Sequence, residues 1–451
     1  MDKTFAIYTL GCKVNQEESA ALANVFVEHG WRQLPFGEAA DVCIVNTCTV
    51  TQIAEKKSRN MLRRALAANP QAYVVGTGCY VQMKPQEAAA IAGLDLLLGA
   101  NEKHLLFELA AAGAEQKAQL SPATEMAGPQ VQVCPAAQAC QYQELGNANS
   151  LTNRTRAFVK IEDGCNQFCS YCIVPHVRGP VRSRPLAAVL AEVRQLVAAG
   201  YQEIVLTGIH VGAWAADGLA FADLVAAVAE TPGLGRLRLG SVEPREVSPK
   251  LLQLAAENPV ICPHFHIPLQ AAADQILQLM GRDYDMAYYT GLVADIRRLL
   301  PAAAITTDII AGFPGEDEAI FAAELEQVRR LAFADAHIFP YSRRPGTPAA
   351  EFAGQLPNAE KNRRAAELAA VVAASRRAFR AARCAEGQNL RLLLEQQVER
   401  EGQVGMQGYT ADYLPVFVPG LGLQMAGRFV QVRPVGLLAA FGDEIIGEIV
   451  D

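Results

Sequence analysis

The sequence predicts an α/β protein in three parts: a parallel α/β domain, a partial (β/α)6 barrel and a small all-β barrel. Three observations carry this. Up to about residue 110, short β-rich runs alternate with helical patterns, which is how a parallel sheet reads. After an irregular stretch the alternation resumes and gives six repeats before about residue 383, enough for a partial β/α barrel. From about residue 387, short strands alternate with Gly-rich turns, which suggests a small barrel of OB-like character. The expected division is 1–112, an irregular linker over 113–150, 151–384 and 385–451. A chain of 451 residues with 51% hydrophobic content is long enough for two or three cores.

Composition excludes several classes. The longest apolar runs, such as Ile91 to Ala100, fall short of the roughly 18 residues a membrane span needs. Met1-Asp2-Lys3-Thr4 leads straight into a strand-like segment without a signal-peptide pattern, so the expectation is a cytoplasmic protein with no membrane partner. Eleven cysteines there point to metal or redox chemistry rather than disulfides. The net charge of −7 argues against a general nucleic-acid coat, though not against a local basic surface. No P-loop or Gly-rich dinucleotide fingerprint is present.

In the first part, Phe5–Tyr8, Val42–Val45 and Tyr73–Val75 read as strands, with helical patterns over Glu17–Glu28 and Thr51–Ala68. Each strand ends in a turn carrying a cysteine: Cys12, Cys48 and Cys79. Ligands gather at the carboxyl ends of such strands, so three distant cysteines can converge on one metal site. The alternative is that each is a small apolar residue in a tight turn. The run from Gly113 to Ser150 is rich in Ala, Gln, Gly, Pro and Asn and reads as an irregular excursion. Its cysteines, Cys134 and Cys140, read as incidental.

Barrel strands are expected at Phe158–Ile161, Glu203–Leu206, Arg236–Gly240, Cys262–Ile267, Ile305–Ile310 and Ala336–Phe339, followed by a long helix over Ala359–Arg383. Barrel chemistry belongs on the loops at the carboxyl ends of the strands. The loop after the first strand reads Gly164-Cys165-Asn166-Gln167-Phe168-Cys169-Ser170-Tyr171-Cys172. Three thiolates at this spacing can hold three corners of a cubic iron–sulfur cluster. No fourth cysteine follows closely, which leaves one iron open to a ligand. A zinc site is the rival, but structural zinc wants four closed ligands. Three plain thiols are the bland alternative. His264 and His266, at alternate positions, face one side of their strand and read as core or substrate contacts rather than metal ligands.

The Cys165, Cys169, Cys172 loop resembles that of the radical S-adenosylmethionine (SAM) enzymes. In that superfamily the open iron chelates SAM, and an electron from the cluster cleaves it to a 5′-deoxyadenosyl radical. Tyr171 fits the aromatic placed against the adenine. The strings around Cys12, Cys48 and Cys79 resemble the amino-terminal domain of the methylthiotransferases. There these positions ligate a second cluster. Leu206-Thr207-Gly208, Ser241-Val242-Glu243-Pro244, His266-Ile267-Pro268-Leu269-Gln270, Thr307-Asp308 to Glu316 and Phe339 to Thr347 are similar to family strings as well. The tail, with Gly408-Tyr409-Thr410, looks like the family's TRAM domain.

The resemblance covers nearly the whole chain and implies a Rossmann-like first domain, a radical SAM barrel and TRAM. It implies two [4Fe-4S] clusters, one on Cys12, Cys48 and Cys79 and one on Cys165, Cys169 and Cys172. It implies SAM as radical source and methyl donor, held by Tyr171, Thr207, Gly208, Ser241, Glu243, Gln270 and Asp308. For Asp308 a capping role competes. Within the family, Gly11-Cys12-Lys13-Val14-Asn15-Gln16 is most similar to the MtaB type. That type methylthiolates C2 of N6-threonylcarbamoyladenosine at tRNA position 37. Other branches act on isopentenyladenosine or on an aspartate of a ribosomal protein. The expected partners are a tRNA anticodon loop, an electron donor such as flavodoxin or ferredoxin, and a sulfur donor. A non-enzymatic metal-binding RNA module is the reading furthest from these motifs.

For the RNA phosphates the candidates are Arg178, Arg182 and Arg184. Lys56, Lys57, Arg59, Arg63 and Arg64 on the second helix rank behind them as an ordinary solvated face. Two features depart from the family. Ala271-Ala272 stands where it usually has Ser-Gly, and the tail carries Arg391, Arg400, Arg428 and Arg433 against nine acidic residues, a weak balance for binding phosphate.

Overall fold

The computed structural model describes residues 3–119, 128–146 and 155–450. The expected chain start at Met1-Asp2, residues 120–127 and 147–150 of the expected linker, and the expected barrel start at 151 lie outside the described residues.

The first domain is a six-stranded parallel sheet, in the order Arg32–Gln33, Thr4–Thr9, Val42–Thr47, Tyr73–Gly78, Leu96–Leu98, Gln130–Gln132. Val42–Thr47 and Tyr73–Gly78 are buried along their whole length, as central strands covered on both faces must be. One core, around Leu62, Val74 and Tyr80, fills one face; the other, around Phe5, Phe26 and Leu98, fills the opposite face. The stretch expected to be irregular is partly regular. The helix Leu106–Gln119 runs past residue 112, and Gln130–Gln132 pairs in register with Leu96–Leu98. An edge strand of two glutamines around one valine carries little β signal, which is why composition does not reveal it.

The barrel strands are Arg156–Lys160, Glu203–Thr207, Arg236–Leu239, His264–His266, Ala304–Ala311 and Asp335–Pro340, all parallel within two groups of three. A bridge between Ser241 and His266 joins the groups into one curved sheet. Successive side chains point to opposite faces. Ala157, Val159, Ile204, Leu206, Leu237 and Phe265 pack outward into the large core under the helices. Their neighbours Arg156, Glu203, Arg238, His264 and His266 line the lumen.

The helix Asn358–Ala385 packs along the last barrel strand and leads to a closed five-stranded barrel. Its strand order, Leu390–Arg400, Gln403–Thr410, Pro415–Pro419, Glu444–Ile449, Phe429–Leu438, agrees with the OB-like expectation. This small barrel plugs the amino-terminal end of the large one. Arg236 donates to the carbonyl of Tyr409 at 2.9 Å, and Arg238 donates to those of Ala411 and Thr410 at 3.0 and 3.1 Å. Tyr413 stacks on His264 at 4.8 Å, and Arg156 lies over Tyr409 and Tyr413. The opposite end of the large barrel faces the first domain.

Candidate active site

The three cysteines of the first domain sit where its strands end. Cys12 precedes the helix Lys13–Glu28, Cys48 follows Val42–Thr47, and Cys79 opens the short helix Cys79–Met83. Two glycines draw these turns together. Gly11 has φ +102°, and a Cβ there would lie 2.9 Å from Cys48 Sγ. Gly78 has φ +91°, and a Cβ there would collide with the Asn46 side chain and the Thr47 carbonyl. Asn15 then ties the turns, donating to the carbonyls of Leu10 at 2.8 Å and Thr47 at 3.1 Å. Ser58 holds the Cys48 backbone from both sides, accepting from its N–H at 3.0 Å and donating to its carbonyl at 2.8 Å.

The second trio needs only one loop. Cys165 N–H donates to Gly179 O at 3.0 Å, Cys172 N–H to Cys169 O at 2.9 Å, and Ser170 N–H to Met280 O at 2.9 Å. Cys79 packs directly against Ile173 and Val177, the residues that follow Cys172. Both trios therefore flank one domain junction.

Both donor sets suit metal. Burial and the neighbouring Cys79 and Cys12 thiols push the Cys48 thiol up to about 11. Burial and the neighbouring Cys169 and Cys165 push Cys172 up to about 12, and burial also raises Cys79 and Cys169. Thiols raised in this way become thiolates when a cationic metal takes them. Three soft sulfur donors on each side fit iron–sulfur clusters.

Around the loop trio stand groups that the spacing of the cysteines could not reveal. Arg282 reaches Cys169 Sγ at 3.2 Å and Gln167 at 3.0 Å, and it also pairs with Glu243. His210 Nδ1 lies 3.6 Å from Cys165 Sγ, with its Nε2 2.6 Å from Glu246. Glu162, buried and pushed up to about 8 by that burial, accepts from the His210 backbone N–H. Arg282 lies in Met280-Gly281-Arg282, far along the chain and with no distinctive pattern.

The residues expected at SAM are dispersed around this mouth. Thr207 ends its strand, and Gly208 lies where a Cβ would meet Glu162 Oε2 at 2.7 Å. Ser241 bridges to His266, and Glu243 pairs with Arg282. Tyr171 packs against the barrel core, edge-on to Phe313 at 6.4 Å. Gln270 has φ +67°, and its N–H donates to Asp308 O at 2.8 Å. Asp308 lies within the strand Ala304–Ala311, 3.2 Å from His266 Nε2, so it caps no helix or turn. At the departure from the family string, the N–H of Ala272 is already taken by Glu324 at 3.1 Å.

The arginines expected at RNA are a correction. Arg178 is 1% exposed and donates to Glu18 at 2.5 Å, to Asn15 at 2.5 Å and to Asp163 at 3.2 Å. Arg182 is buried on the carbonyls of Arg178 and Pro180 and on Asn101. Arg184 is buried between Glu144 and Glu192. These side chains are spent inside the protein, Arg178 as the tie between the domains. On the second helix Arg59 pairs with Glu55. Lys56, Lys57, Arg63 and Arg64 are exposed and form no ion pair among the described residues. In the small barrel Arg400 and Arg433 pair with Glu444 and Glu448, and Arg391 lies over Phe429, which reduces its free positive charge further. Cys134 and Cys140 are exposed. No helix among the described residues is long and apolar enough to cross a membrane.

Comparison with known proteins fits this geometry. Residues 4–99 match Uncharacterized protein family UPF0004, and residues 159–328 match the Radical SAM superfamily. The chain is 35% identical over 434 residues to threonylcarbamoyladenosine tRNA methylthiotransferase MtaB of Bacillus subtilis, covering 95% of this chain and 93% of that protein. It is 37% identical over 365 residues to MtaB of Thermotoga maritima, covering 80% of each. It is 39% identical over 379 residues to tRNA-2-methylthio-N(6)-dimethylallyladenosine synthase of Moorella thermoacetica, covering 81% and 82%. Among solved structures, the radical SAM methyltransferase TsrM of Kitasatospora setae shares the fold, with a TM-score of 0.56 at 17% identity over 77% of each chain. With relatives of this identity over most of its length, the chain belongs to the radical SAM tRNA methylthiotransferase family, enzymes whose cofactors are SAM and two [4Fe-4S] clusters.

Proposed function

We propose that the protein converts N6-threonylcarbamoyladenosine at position 37 of tRNA to its 2-methylthio form. The observation that carries this is the near full-length match to a relative named for that substrate. The Gly11-Cys12-Lys13-Val14-Asn15-Gln16 string supports it. A second reading, the dimethylallyl substrate, is favoured by the 39% identity to a synthase named for it.

In this proposal Cys165, Cys169 and Cys172 hold one cluster and Cys12, Cys48 and Cys79 the other. Carbon 2 of adenine is an unactivated C–H position, and the bound clusters with SAM supply the electron, sulfur and methyl group the change needs. The protein's own residues position and shield. Glu243 and Ser241 take polar groups of SAM, with Tyr171, Thr207, Gly208 and Gln270 around it. Arg282 holds Glu243 and places a fixed cation against the Cys169 sulfur. Arg178, with Glu18 and Asp163, keeps the two trios on one junction. Lys56, Lys57, Arg63 and Arg64, close in sequence to the Cys48 turn, take over as the phosphate contacts. The setting is the cytoplasm, with an electron donor such as flavodoxin or ferredoxin and a separate sulfur donor.

The test is mass spectrometry of tRNA nucleosides from a host lacking its own enzyme, with and without this gene. Appearance of 2-methylthio-threonylcarbamoyladenosine, abolished by Cys12→Ala or Cys169→Ala, is the expected result. The dimethylallyl analogue instead would overturn the substrate. An unchanged tRNA pool would overturn the function and direct attention to ribosomal proteins.

A further inference from the structure

Along the sequence His264 and His266 offer at most two donors from one strand. The lumen adds donors from two further strands. His266 stands in register with Thr306, and Asp308 stands in register with His337. Thr306 and Asp308 are two apart on their strand, so these side chains share the lumen face. His266 Nε2 lies 3.2 Å from Asp308 Oδ2. The His337 ring lies 5.7 Å from that of His266. One ring nitrogen of each histidine and a carboxylate oxygen of Asp308 all lie within 4.8 Å of one another. Neither cysteine trio uses these groups.

Orientation, charge and a spare donor set this trio apart from an ordinary hydrogen-bonded pair. Thr306 Oγ1 lies 3.0 Å from His266 Nδ1 and 3.1 Å from His264 Nε2. With its proton on Nδ1, His266 donates to Thr306 and turns the Nε2 lone pair toward Asp308. Ligating histidines are commonly oriented through the other ring nitrogen in this way. Nε2 and the carboxylate oxygen are then two acceptors 3.2 Å apart, which need a positive charge between them. Metal bonds of about 2.0–2.1 Å at a tetrahedral angle separate two donors by about 3.3 Å. No Lys or Arg pairs with Asp308 among the described residues. The lumen cations are committed elsewhere: Arg156 to Glu395, Arg238 to Glu203, and Lys160 to Glu18 and Asp163. His337 forms no hydrogen bond or ion pair among the described residues and is exposed, so its imidazole is free to close on the other two donors.

We propose that His266, Asp308 and His337 form a binding site for a divalent first-row transition ion, separate from both cysteine trios. Two imidazoles and one carboxylate, without a thiolate, suit zinc or ferrous iron rather than magnesium or calcium. Three protein ligands leave at least one coordination position open. That position faces the lumen, where water or an oxygen of a bound molecule completes the shell. An ion held there is a Lewis acid fixed inside the barrel and draws no electron from either cluster. The site is independent of which N6 substituent the enzyme takes.

The test uses anaerobically reconstituted holoenzyme, dialysed against zinc buffered by a chelator, with zinc and iron counted together. Wild type is expected to take one zinc per chain with its iron unchanged. Its zinc-edge X-ray absorption is expected to show nitrogen and oxygen neighbours at about 2.0–2.2 Å and no sulfur at about 2.3 Å. Asp308→Asn combined with His337→Ala is expected to lose that zinc and keep the iron. Thr306→Val, which removes only the hydroxyl behind His266, is expected to weaken zinc binding about 10–100-fold. Wild type that takes no zinc, or takes it no better than the double variant, would overturn the site. Sulfur neighbours in the wild-type spectrum would overturn it as well, by assigning the zinc to the cysteine trios, and that measurement needs no variant to fold.

Discussion

Cys165, Cys169 and Cys172 come from eight consecutive residues on one loop, whereas Cys12, Cys48 and Cys79 come from three strand ends spread through the first domain. The loop trio is held by its own local hydrogen bonds and by Met280. The dispersed trio depends on the register of a whole parallel sheet, on two glycines at positive φ and on Asn15. The same donor chemistry is thus built once by short-range sequence and once by tertiary structure. A site of the second kind should fail whenever the sheet or the domain junction is disturbed, and the loop site should survive.

The sharpest way to break this contrast is at Arg178. Arg178→Met leaves Glu18 and Asp163 buried with one partner fewer, a cost of about 3–5 kcal/mol for a broken buried pair. Thermal or denaturant unfolding should show the first domain melting before the barrel, with the dispersed site losing iron first. Gly78→Ala is the next test. A side chain at φ +91° against Asn46 and Thr47 costs of order 1–3 kcal/mol. Iron should fall on the first-domain side only, with SAM cleavage retained.

Acid should act in the same direction as Arg178→Met, more gently. Burial alone would raise the Glu18 carboxyl, but Arg178, Lys103 and Lys160 outweigh it and hold it well below its usual 4.5. A depressed carboxyl stabilises above its unfolded value and loses that stability as pH falls through its folded value. Domain coupling, followed by limited proteolysis or scattering, should therefore be constant above about pH 4.5 and weaken below it. The smallest effect belongs to the surface. Lys56→Ala with Lys57→Ala should lower the salt dependence of RNA binding by roughly one unit of slope for each phosphate no longer neutralised. Arg182→Gln should leave that slope unchanged, since its cation is already engaged inside the protein.

The loop trio is legible in the sequence because its information is local: three cysteines in one short segment carry their own geometry. The alternation of strands and helices places Cys12, Cys48 and Cys79 at equivalent strand ends, and the sheet register brings those turns together. The six barrel strands and the small barrel follow from periodicity, since their apolar positions repeat. What stays hidden is partner choice. Arg178, Arg182 and Arg184 read as free cations beside the cluster loop, yet each meets a carboxylate or carbonyl remote in sequence. Arg282 and His210 carry no spacing signal because their partners lie on other strands. Asp308 reads as a possible cap from its residue type; inside a strand that runs on to Ala311 its neighbour is instead His266 on the adjacent strand.

The most direct test of two separately built cluster sites is a pair of triple variants, Cys12→Ala with Cys48→Ala and Cys79→Ala, and Cys165→Ala with Cys169→Ala and Cys172→Ala. Each is purified anaerobically and measured for iron and for SAM cleavage. Each should keep about half of the wild-type iron, only the first should still release 5′-deoxyadenosine, and neither should methylthiolate tRNA. Loss of all iron from the first variant, or SAM cleavage by the second, would contradict the assignment of separate clusters with separate tasks.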